Sequence, residues 1–288
     1  QVLDQHTGAP VLLRPVDVPH HNATVISMPE TLNERLAFFL GYLWGDGFIS
    51  TGRVGLAVAH DSPMIDEAPR LFQELFGLDV ATEQKENDAS VVYVTGSVHL
   101  IAWLQANGLE KAKARSLSLP KPIRMAPRPV VGAFLRGLFE ADGSLSHGMP
   151  TLSTASADLA EDVATMLAGL GIPTKRWVVG ARPDRDSRHA INHVRVVSHK
   201  GLERYIERIG YLEGSRLEAM GNHVPDKGRE QSWVLPHASA LLTSTLDSLP
   251  AGAKGRPSQH TQDRKNLSRY IRGERNLTAT AYERLRAN

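Results

Sequence analysis

The chain has 288 residues, of which 41% are hydrophobic and 22% are charged. At about 150 residues per domain, the length predicts two domains, and this composition excludes a largely disordered chain. The absence of cysteine excludes a disulfide framework, a cysteine-ligated zinc site and a thiol nucleophile. No apolar run reaches the roughly 18 residues of a transmembrane helix, and no signal peptide is visible, so we expect no membrane partner.

Charge is distributed unevenly along the chain, although the formal net charge is only +2. Residues 1–110 carry 5 Lys/Arg and 14 Asp/Glu, a net charge of −9. Residues 111–288 carry 28 Lys/Arg and 17 Asp/Glu, a net charge of +11. This asymmetry indicates a polyanion as partner, with solvated faces of opposite sign as the alternative.

The first part of the chain predicts a leader followed by alternating helices and strands. Prolines punctuate residues 1–30, which predicts an extended leader with a short strand at 11–13. A helix begins near Thr31, capped by Thr31 or Asn33, and ends at 45–47. The elements predicted after it are a strand at 53–60, a helix at 63–76 ended by Gly77, a hairpin of 79–86 with 91–95, and a helix at 97–106.

The same order of elements recurs in the second half. The predicted elements are helices at 129–141, 158–170 and 200–209 and strands at 149–154, 173–180 and 190–198. The repeating unit is αββαββα, and its first helices end at Asp46 and Asp142, which lie 96 residues apart. An internal duplication explains this order. The resulting division is a leader (1–30), a first repeat (31–126), a second repeat (127–216) and a C-terminal extension (217–288).

The two first helices end in related sequences, LGYLWGDG at 40–47 and LRGLFEADG at 135–143. Each carries two small residues four positions apart, Gly41 with Gly45 in the first and Gly137 with Ala141 in the second, which place them on one helix face. Small residues allow close approach of two helices, which would bring the two aspartates together. An aspartate at a helix C-terminus is unfavourable by about 0.3–1 kcal/mol, so two of them favour a function over simple capping.

These paired helix ends resemble the signature of the LAGLIDADG homing endonucleases, and the first copy resembles the intein-borne members. The resemblance covers residues 31–216. It implies an α+β fold in which two pseudo-symmetric αββαββα units form a DNA-binding saddle, followed here by a small helical extension. It also implies a monomer that makes site-specific double-strand breaks in DNA. We expect a cytoplasmic protein, associated with the nucleoid if the source is bacterial.

The resemblance assigns catalysis and metal binding to Asp46 and Asp142. The backbone carbonyls of Gly45 and Ala141 are expected as further metal ligands. Two carboxylates at short range repel each other unless cations are present, and oxygen ligands favour Mg²⁺, or Mn²⁺. Such ions would activate a water and stabilise the leaving oxygen during phosphodiester hydrolysis.

The sequence departs from the family pattern at the basic catalytic residue. Intein-borne members place a lysine three residues before a proline, and here Leu117 occupies that position. Lys111, Lys113 and Arg115 lie nearby; Lys113 is our candidate, with Arg216 as its counterpart in the second half. Either cation would orient water or stabilise the pentavalent phosphate.

The residues of protein splicing are not recognisable. The chain opens on Gln1 rather than a nucleophilic cysteine, and it ends in Ala287-Asn288 rather than His-Asn. We therefore expect an endonuclease that is free-standing or excised from an intein, not a self-splicing protein.

Strand alternation provides candidates for DNA contacts. Burial of Val194 and Val196 would direct His193 and Arg195 into the groove, and burial of Trp177 would leave Arg176 outward. The candidates in the two repeats are Arg53, Lys85, Tyr93, Arg176, Arg182, Arg185, Arg188, His193 and Arg195. For each of them a solvated charge or polar group at the rim is the alternative.

The C-terminal extension is basic. Residues 256–288 carry 8 Lys/Arg and 3 Asp/Glu. The stretch 266–275 resembles the recognition-helix end of a helix-turn-helix, so Arg269 and Arg272 are candidate DNA contacts, with a helix that only packs on the core as the alternative.

Two other functions are compatible with these patterns. One is a DNA-binding regulator of the same fold, catalytically weak or inactive, although the signature acids typically lost in such proteins are kept here. The other is an RNA maturase, which only an RNA-binding assay would separate.

Overall fold

The computed structural model describes residues 9–18, 26–84, 89–181, 189–223 and 269. The chain divides into two compact units, Gln1–Gly228 and Arg229–Asn288. All the elements named below belong to the first unit; in the second, Arg269 is exposed and helical. Across the described ranges, no helix is both long enough and apolar enough to cross a membrane.

The first repeat folds in the predicted order. Its elements are α1 (Glu34–Asp46), β1 (Gly47–Ser50), β2 (Arg53–Ala59), α2 (Met64–Phe76), β3 (Ala81–Glu83), β4 (Ser90–Thr95) and α3 (Val98–Ala106). Asn33 caps α1 by accepting a 2.9 Å hydrogen bond from the backbone N–H of Leu36. Gly77 ends α2 with a left-handed backbone, φ 65°.

The second repeat follows two short elements that the sequence did not predict. These are a 3₁₀ turn at 114–116 and a single-turn helix, α4 (Lys121–Arg124), both too short to show helical periodicity. The remaining elements are α5 (Arg128–Asp142), β5 (Gly143–Ser146), β6 (Met149–Thr154), α6 (Ala157–Gly169), β7 (Thr174–Val179), β8 (Ile191–Val196), α7 (His199–Arg208) and α8 (Gly214–Gly221).

Each repeat contributes one four-stranded antiparallel sheet. The strand orders are β1-β2-β4-β3 and β5-β6-β8-β7, which are the same topology. The registers also correspond, since Gly47 pairs with Leu56 in the first sheet and Gly143 with Leu152 in the second. The α+β fold with two αββαββα units is therefore confirmed. The predicted order includes a strand after each signature helix, but the sequence assigned no residues to β1 or β5. Four residues are too few to show alternation.

The core lies between the helices and one face of each sheet. Leu56, Leu152 and Val194 are fully buried, and Phe39 packs edge-on against Phe72 of α2. The buried state of Val194 and Val196 confirms the predicted inward face of β8.

The described part of the leader packs on the first repeat. Leu12 forms an isolated antiparallel bridge with Thr31, in place of the short strand predicted at 11–13. Leu13 and Ile26 are buried in the same core as α1.

Candidate active site and nucleic-acid interface

Helices α1 and α5 pack with their backbones in direct contact. A Cβ atom on Gly41 would lie 1.9 Å from the carbonyl oxygen of Phe134, and one on Gly137 would lie 2.1 Å from that of Phe38. Real Cβ atoms essentially never approach other atoms within 3.0 Å, so only glycine fits at either position. The small residues on one face of each helix thus allow the close packing that their spacing predicts.

This packing brings the C-terminal ends of α1 and α5 together. Asp46 is the last residue of α1, and Asp142 is the last residue of α5. Desolvation by the surrounding protein and, after it, the charge of Asp46 raise the pKa of Asp142 to about 6. Desolvation also raises the pKa of Asp46, although both side chains keep access to solvent. The two carboxylates therefore form one electrostatically coupled pair.

Lys111 completes this charged cluster. Its Nζ donates hydrogen bonds to the carbonyl oxygens of Gly45 and Gly47, at 2.8 and 2.6 Å. Desolvation lowers the pKa of Lys111 to about 8, while the charges of Asp142 and Asp46 act in the opposite direction. The ammonium group is thus held at the end of α1 where the aspartates meet.

The lysine brought to the aspartates is Lys111, and the candidate chosen from the sequence, Lys113, is not. Lys113 is exposed and immediately precedes the 3₁₀ turn. Leu117, at the position where the resemblance described above leads one to expect a lysine, is buried, with 5% of its surface exposed. Sequence proximity did not select between Lys111 and Lys113 because the path of the segment after α3 depends on tertiary packing.

The second repeat has an acidic residue where the first has Lys111. Gly108 and Gly210 follow α3 and α7, and both have left-handed backbones, with φ of 64° and 65°. The third residue after each glycine is Lys111 in the first repeat and Glu213 in the second. The two repeats therefore differ by a reversal of charge at matching places.

Arg216 contacts the C-terminal end of α5. Its Nη1 donates hydrogen bonds to the carbonyl oxygens of Phe139 and Glu140, both at 3.4 Å. Its Nε lies 2.7 Å from a carboxylate oxygen of Glu213, and its guanidinium lies 5.1 Å from the ring centroid of Tyr211. Arg216 is thus ion-paired with Glu213 while it contacts the last turn of α5.

Glu140 is a structural residue of this site that the sequence analysis missed. Its side chain is buried, with 5% exposed, and accepts a 2.7 Å hydrogen bond from the backbone N–H of Leu212. Desolvation raises its pKa, and the Leu212 hydrogen bond opposes that shift. A signal was present: Glu140 stands in the second signature where the apolar Trp44 stands in the first. Trp44 anchors its own neighbouring segment by donating to the carbonyl oxygen of Ser118 at 3.0 Å.

The aspartate pair fits a divalent cation on donor chemistry. Within the described ranges, no group of three or more His, Asp or Glu side chains converges to hold a metal ion. Asp46 and Asp142 instead provide two carboxylates. Desolvation and, after it, the charge of Asp46 raise the pKa of Asp142, and a hard cation would neutralise the charge of the pair. Of the two carbonyls predicted as further ligands, that of Gly45 is engaged by Lys111, and for that of Ala141 the assignment stays a prediction.

The outward face of the second sheet differs in part from the prediction. His193 and Arg195 lie opposite the buried row, as predicted, and Trp177 pairs directly with His193 on that same face. The prediction is wrong on the face of each side chain: Trp177 is half-buried on the outward face, and Arg176, although exposed, lies on the face of buried Val194. Arg176 pairs across the sheet with buried Val194 and lies 3.6 Å from Glu161 of α6. Hydrogen-bonded register with β8 sets the face of this edge strand, and it overrides the apolar character of tryptophan.

In the first sheet, Tyr93 also lies on the helix-covered face, contrary to the prediction of a DNA contact. It pairs with buried Leu56, and its hydroxyl donates a 2.8 Å hydrogen bond to the carbonyl oxygen of Ile65 in α2. Arg53 lies on the opposite face and forms an ion pair with Glu83. The other predicted contacts lie outside the described residues: Lys85, Arg182, Arg185, Arg188 and Arg272.

Comparison with known families identifies the second repeat. Residues 129–210 match the family model of the LAGLIDADG-like domain, a stretch that includes α5 and α7. The second repeat is therefore similar to this family, and the matched stretch includes the end of α5 at Asp142.

Longer matches relate the chain to a replication factor and to a translation factor. It is 25% identical over 196 residues to the replication factor C small subunit of Methanocaldococcus jannaschii, which covers 68% of this chain and 10% of that protein. It is 25% identical over 221 residues to the probable translation initiation factor IF-2 of Thermococcus kodakarensis, covering 75% of this chain and 18% of that protein. The chain therefore spans less than a fifth of the length of these relatives. Among solved structures, variants of the homing endonuclease I-DmoI align with a TM-score of 0.46 and 17% identity, covering 62% of this chain and 96% of that one.

Proposed function

We propose that this chain is a site-specific endonuclease that makes a double-strand break in DNA by metal-dependent phosphodiester hydrolysis. The observation that carries the proposal is the convergence of Asp46, Asp142 and Lys111 at the adjoining ends of α1 and α5. Two carboxylates at the negative ends of two helices repel the helix dipoles and each other. A helix pair with only a structural role has no need of such charges, whereas a cation-binding site does.

The residues of the site divide the proposed reaction between them. Asp46 and Asp142 would hold Mg²⁺ or Mn²⁺, which when bound supplies activation of water and neutralisation of charge on the leaving oxygen. Lys111, fixed by two carbonyl oxygens, places a positive charge where the negative charge of the phosphate increases during the reaction. In the second half, Arg216 provides the corresponding positive charge, attenuated by its ion pair with Glu213.

We further propose that the chain belongs to the intein-type subgroup and acts as a monomer. The two curated relatives are named for a replication factor and a translation factor, yet each matches this chain over less than a fifth of its length. A segment shared by unrelated proteins is typical of an inserted element. The monomer is supported by the duplication, because one chain supplies both aspartates.

Duplex DNA is the proposed partner. Residues 31–126 and 127–216 would form the two halves of the saddle, with His193 and Arg195 among the groove contacts, and the basic extension at 217–288 would add phosphate contacts. These assignments follow the charge asymmetry and the outward direction of the two side chains on β8.

A DNA-binding regulator without nuclease activity is the second candidate. The observation that favours it is Glu213, which stands where the first repeat has Lys111 and which pairs with Arg216. This residue weakens the positive charge available in the second half, so cleavage of one strand could be lost in such a protein.

Neutral variants of the aspartates test the proposal. Asp46→Asn and Asp142→Asn should each abolish double-strand cleavage of duplexes selected from a randomised pool, while their affinity for the same duplexes, measured by fluorescence anisotropy, is kept. Asp158→Asn, an exposed aspartate in the first turn of α6, is the matched control and should cleave normally. Full cleavage by either site variant contradicts the proposal, and binding without cleavage by the wild-type protein supports the regulator.

A further inference from the structure

The two sheets can be compared position by position because they share one topology and one register. Pairing of Gly47 with Leu56 and of Gly143 with Leu152 aligns β2 with β6. Side chains alternate between faces along each strand, so the residues opposite the buried leucines form a second face. We call this second face, in each sheet, the outer face. Two of its cross-strand rows are compared below, and a further row of two residues is Ser50–Arg53 in the first sheet and Ser146–Met149 in the second.

The outer faces have opposite chemistry. In the first sheet the rows are Phe48–Gly55–Val94–Ala81 and Ala57–Val92–Glu83. In the second sheet the rows are Ser144–Thr151–Arg195–Lys175 and Ser153–His193–Trp177. At these seven matched positions, every side chain of the second sheet can form a hydrogen bond, whereas Glu83 is the single one that can in the first.

Contacts among its side chains hold the second outer face in place. The rings of Trp177 and His193 stack with centroids 4.8 Å apart and an interplanar angle of 13°. The guanidinium of Arg195 lies 5.5 Å from the centroid of Trp177, and the hydroxyl of Ser153 is 2.9 Å from Nδ1 of His193. A fixed guanidinium is the group best suited to bidentate recognition of guanine in the major groove.

Among the described residues, the first outer face carries one guanidinium, that of Arg53, which forms an ion pair with Glu83. The central positions of this face are glycine, alanine and valine, and Phe48 covers Gly55 so closely that a Cβ there would lie 2.6 Å from the ring. Glu83 accepts hydrogen bonds but does not donate them when ionised, and it is paired with Arg53. Outside Ser50 and the Arg53–Glu83 ion pair, this face distinguishes bases only through shape and methyl contacts.

We infer that target recognition is one-sided, with base-specific readout concentrated in the half-site that lies against the second sheet. The inference rests on the proposed DNA-binding function and adds to it the half of the molecule that determines specificity. The distribution of charge agrees, since residues 1–110 carry a net charge of −9 and residues 111–288 one of +11. The half-site against the first sheet is held in position while its bases vary.

Selection of bound duplexes tests the inference. The full-length protein is incubated in EDTA with duplexes that contain a randomised central segment, and bound molecules are sequenced over several rounds. The expected motif has strong base preferences on one side of its centre and weak ones on the other. Arg195→Ala should erase a preference on the strong side and weaken binding of the selected duplex by about ten- to hundred-fold. Arg195→Lys, which keeps the charge, should lose the same preference with a smaller loss of affinity.

Matched positions provide the control. His193→Ala should change the selected motif, whereas Val92→Ala, at the corresponding place in the first sheet, should leave it unchanged. A motif with equal base preferences in both halves, or a motif that Val92→Ala alters as much as His193→Ala does, overturns the inference and leaves the endonuclease proposal standing. Failure of the wild-type protein to enrich any duplex overturns both.

Discussion

Three charged side chains, Asp46, Asp142 and Lys111, meet at one end of the α1–α5 pair. The aspartate pair could be anticipated from the sequence. Small residues on one face of each signature helix allow these two faces to pack closely, and this packing brings the ends of the helices together. Lys111 could not be singled out, because its position depends on the backbone turn at Gly108 and on packing after α3. Glu140 could be recognised as a charged residue where the first signature has apolar Trp44, but its hydrogen bond with Leu212 could not be predicted.

The first prediction concerns the free energy of unfolding in the absence of metal, which the carboxylate of Asp142 lowers. Its pKa is about 6 in the folded protein, against an ordinary value of 3.8 for an aspartate side chain. The folded state thus binds this proton more tightly than the unfolded state, so the free energy of unfolding falls as pH rises from about 4 to about 6 and stays lower above that range. In EDTA, Asp142→Asn should be more stable than the wild type at neutral pH and equally stable near pH 4.

Urea unfolding over this pH range measures the difference, with Asp158→Asn as control. Added Mg²⁺ should raise the stability of the wild-type protein more than that of Asp142→Asn. Parallel pH profiles for the wild type and Asp142→Asn would show that the carboxylate is not coupled as described.

The second prediction separates the two lysines. Lys111→Met should slow cleavage by about 10²- to 10³-fold, the effect typical of losing one preorganised stabilising group. Lys113→Met removes an exposed lysine two residues away and should leave the rate unchanged. Single-turnover cleavage of an end-labelled duplex measures both rates. A larger loss of rate in Lys113→Met than in Lys111→Met would contradict this prediction and would show that Lys113 is the lysine that supports cleavage.

At the scale of elements, hydrophobic periodicity located the long helices and the longer strands, and it failed where an element is short or lies at an edge. Strands β1 and β5 have four residues each, too few for a pattern. The apolar character of tryptophan predicts the opposite face for β7, whereas pairing with β8 places Trp177 on the outward face and the exposed Arg176 on the helix-covered face. Register is set by hydrogen bonding between strands, which a single strand's composition does not contain.

The third prediction tests the packing of α1 on α5. Gly41→Ala forces a Cβ onto a backbone carbonyl oxygen at 1.9 Å, and backbone atoms of a second helix do not move aside at low cost. We expect a loss of about 3 kcal/mol or more in the free energy of unfolding. Gly214→Ala, where no atom lies within 4 Å of the added Cβ, should change it by less than about 0.5 kcal/mol. Chemical denaturation of both variants gives the comparison, and equal stabilities would contradict the observed contact.

At the scale of the whole molecule, the duplication explains why the two sheets share one topology. Divergence between the repeats explains why their outer faces and the residues Lys111 and Glu213 differ. The order αββαββα could be predicted because both halves repeat it. The difference between the outer faces could not, because it requires the register of four strands in each sheet. The reversal from Lys111 to Glu213 is visible only once the turns at Gly108 and Gly210 are aligned.

The fourth prediction concerns the basic extension. Replacing Arg269 and Arg272 with Gln in the full-length protein should weaken DNA binding and make its salt dependence shallower. The slope of log K against log salt should change by about 0.9 for each phosphate contact removed. Binding titrations at several salt concentrations measure the slope. A slope equal to that of the wild type would exclude phosphate contacts by these two arginines.

The most direct measurement of the central claim compares wild-type protein with the double variant Asp46→Asn, Asp142→Asn on one randomised duplex pool in Mg²⁺. Bound and cleaved molecules are sequenced separately, with both strands mapped. The wild-type protein should enrich one target and cut both of its strands, and the double variant should enrich the same target and cut neither. Cleavage of that target by the double variant, or its binding without cleavage by the wild-type protein, would contradict the assignment of Asp46 and Asp142 as the catalytic pair.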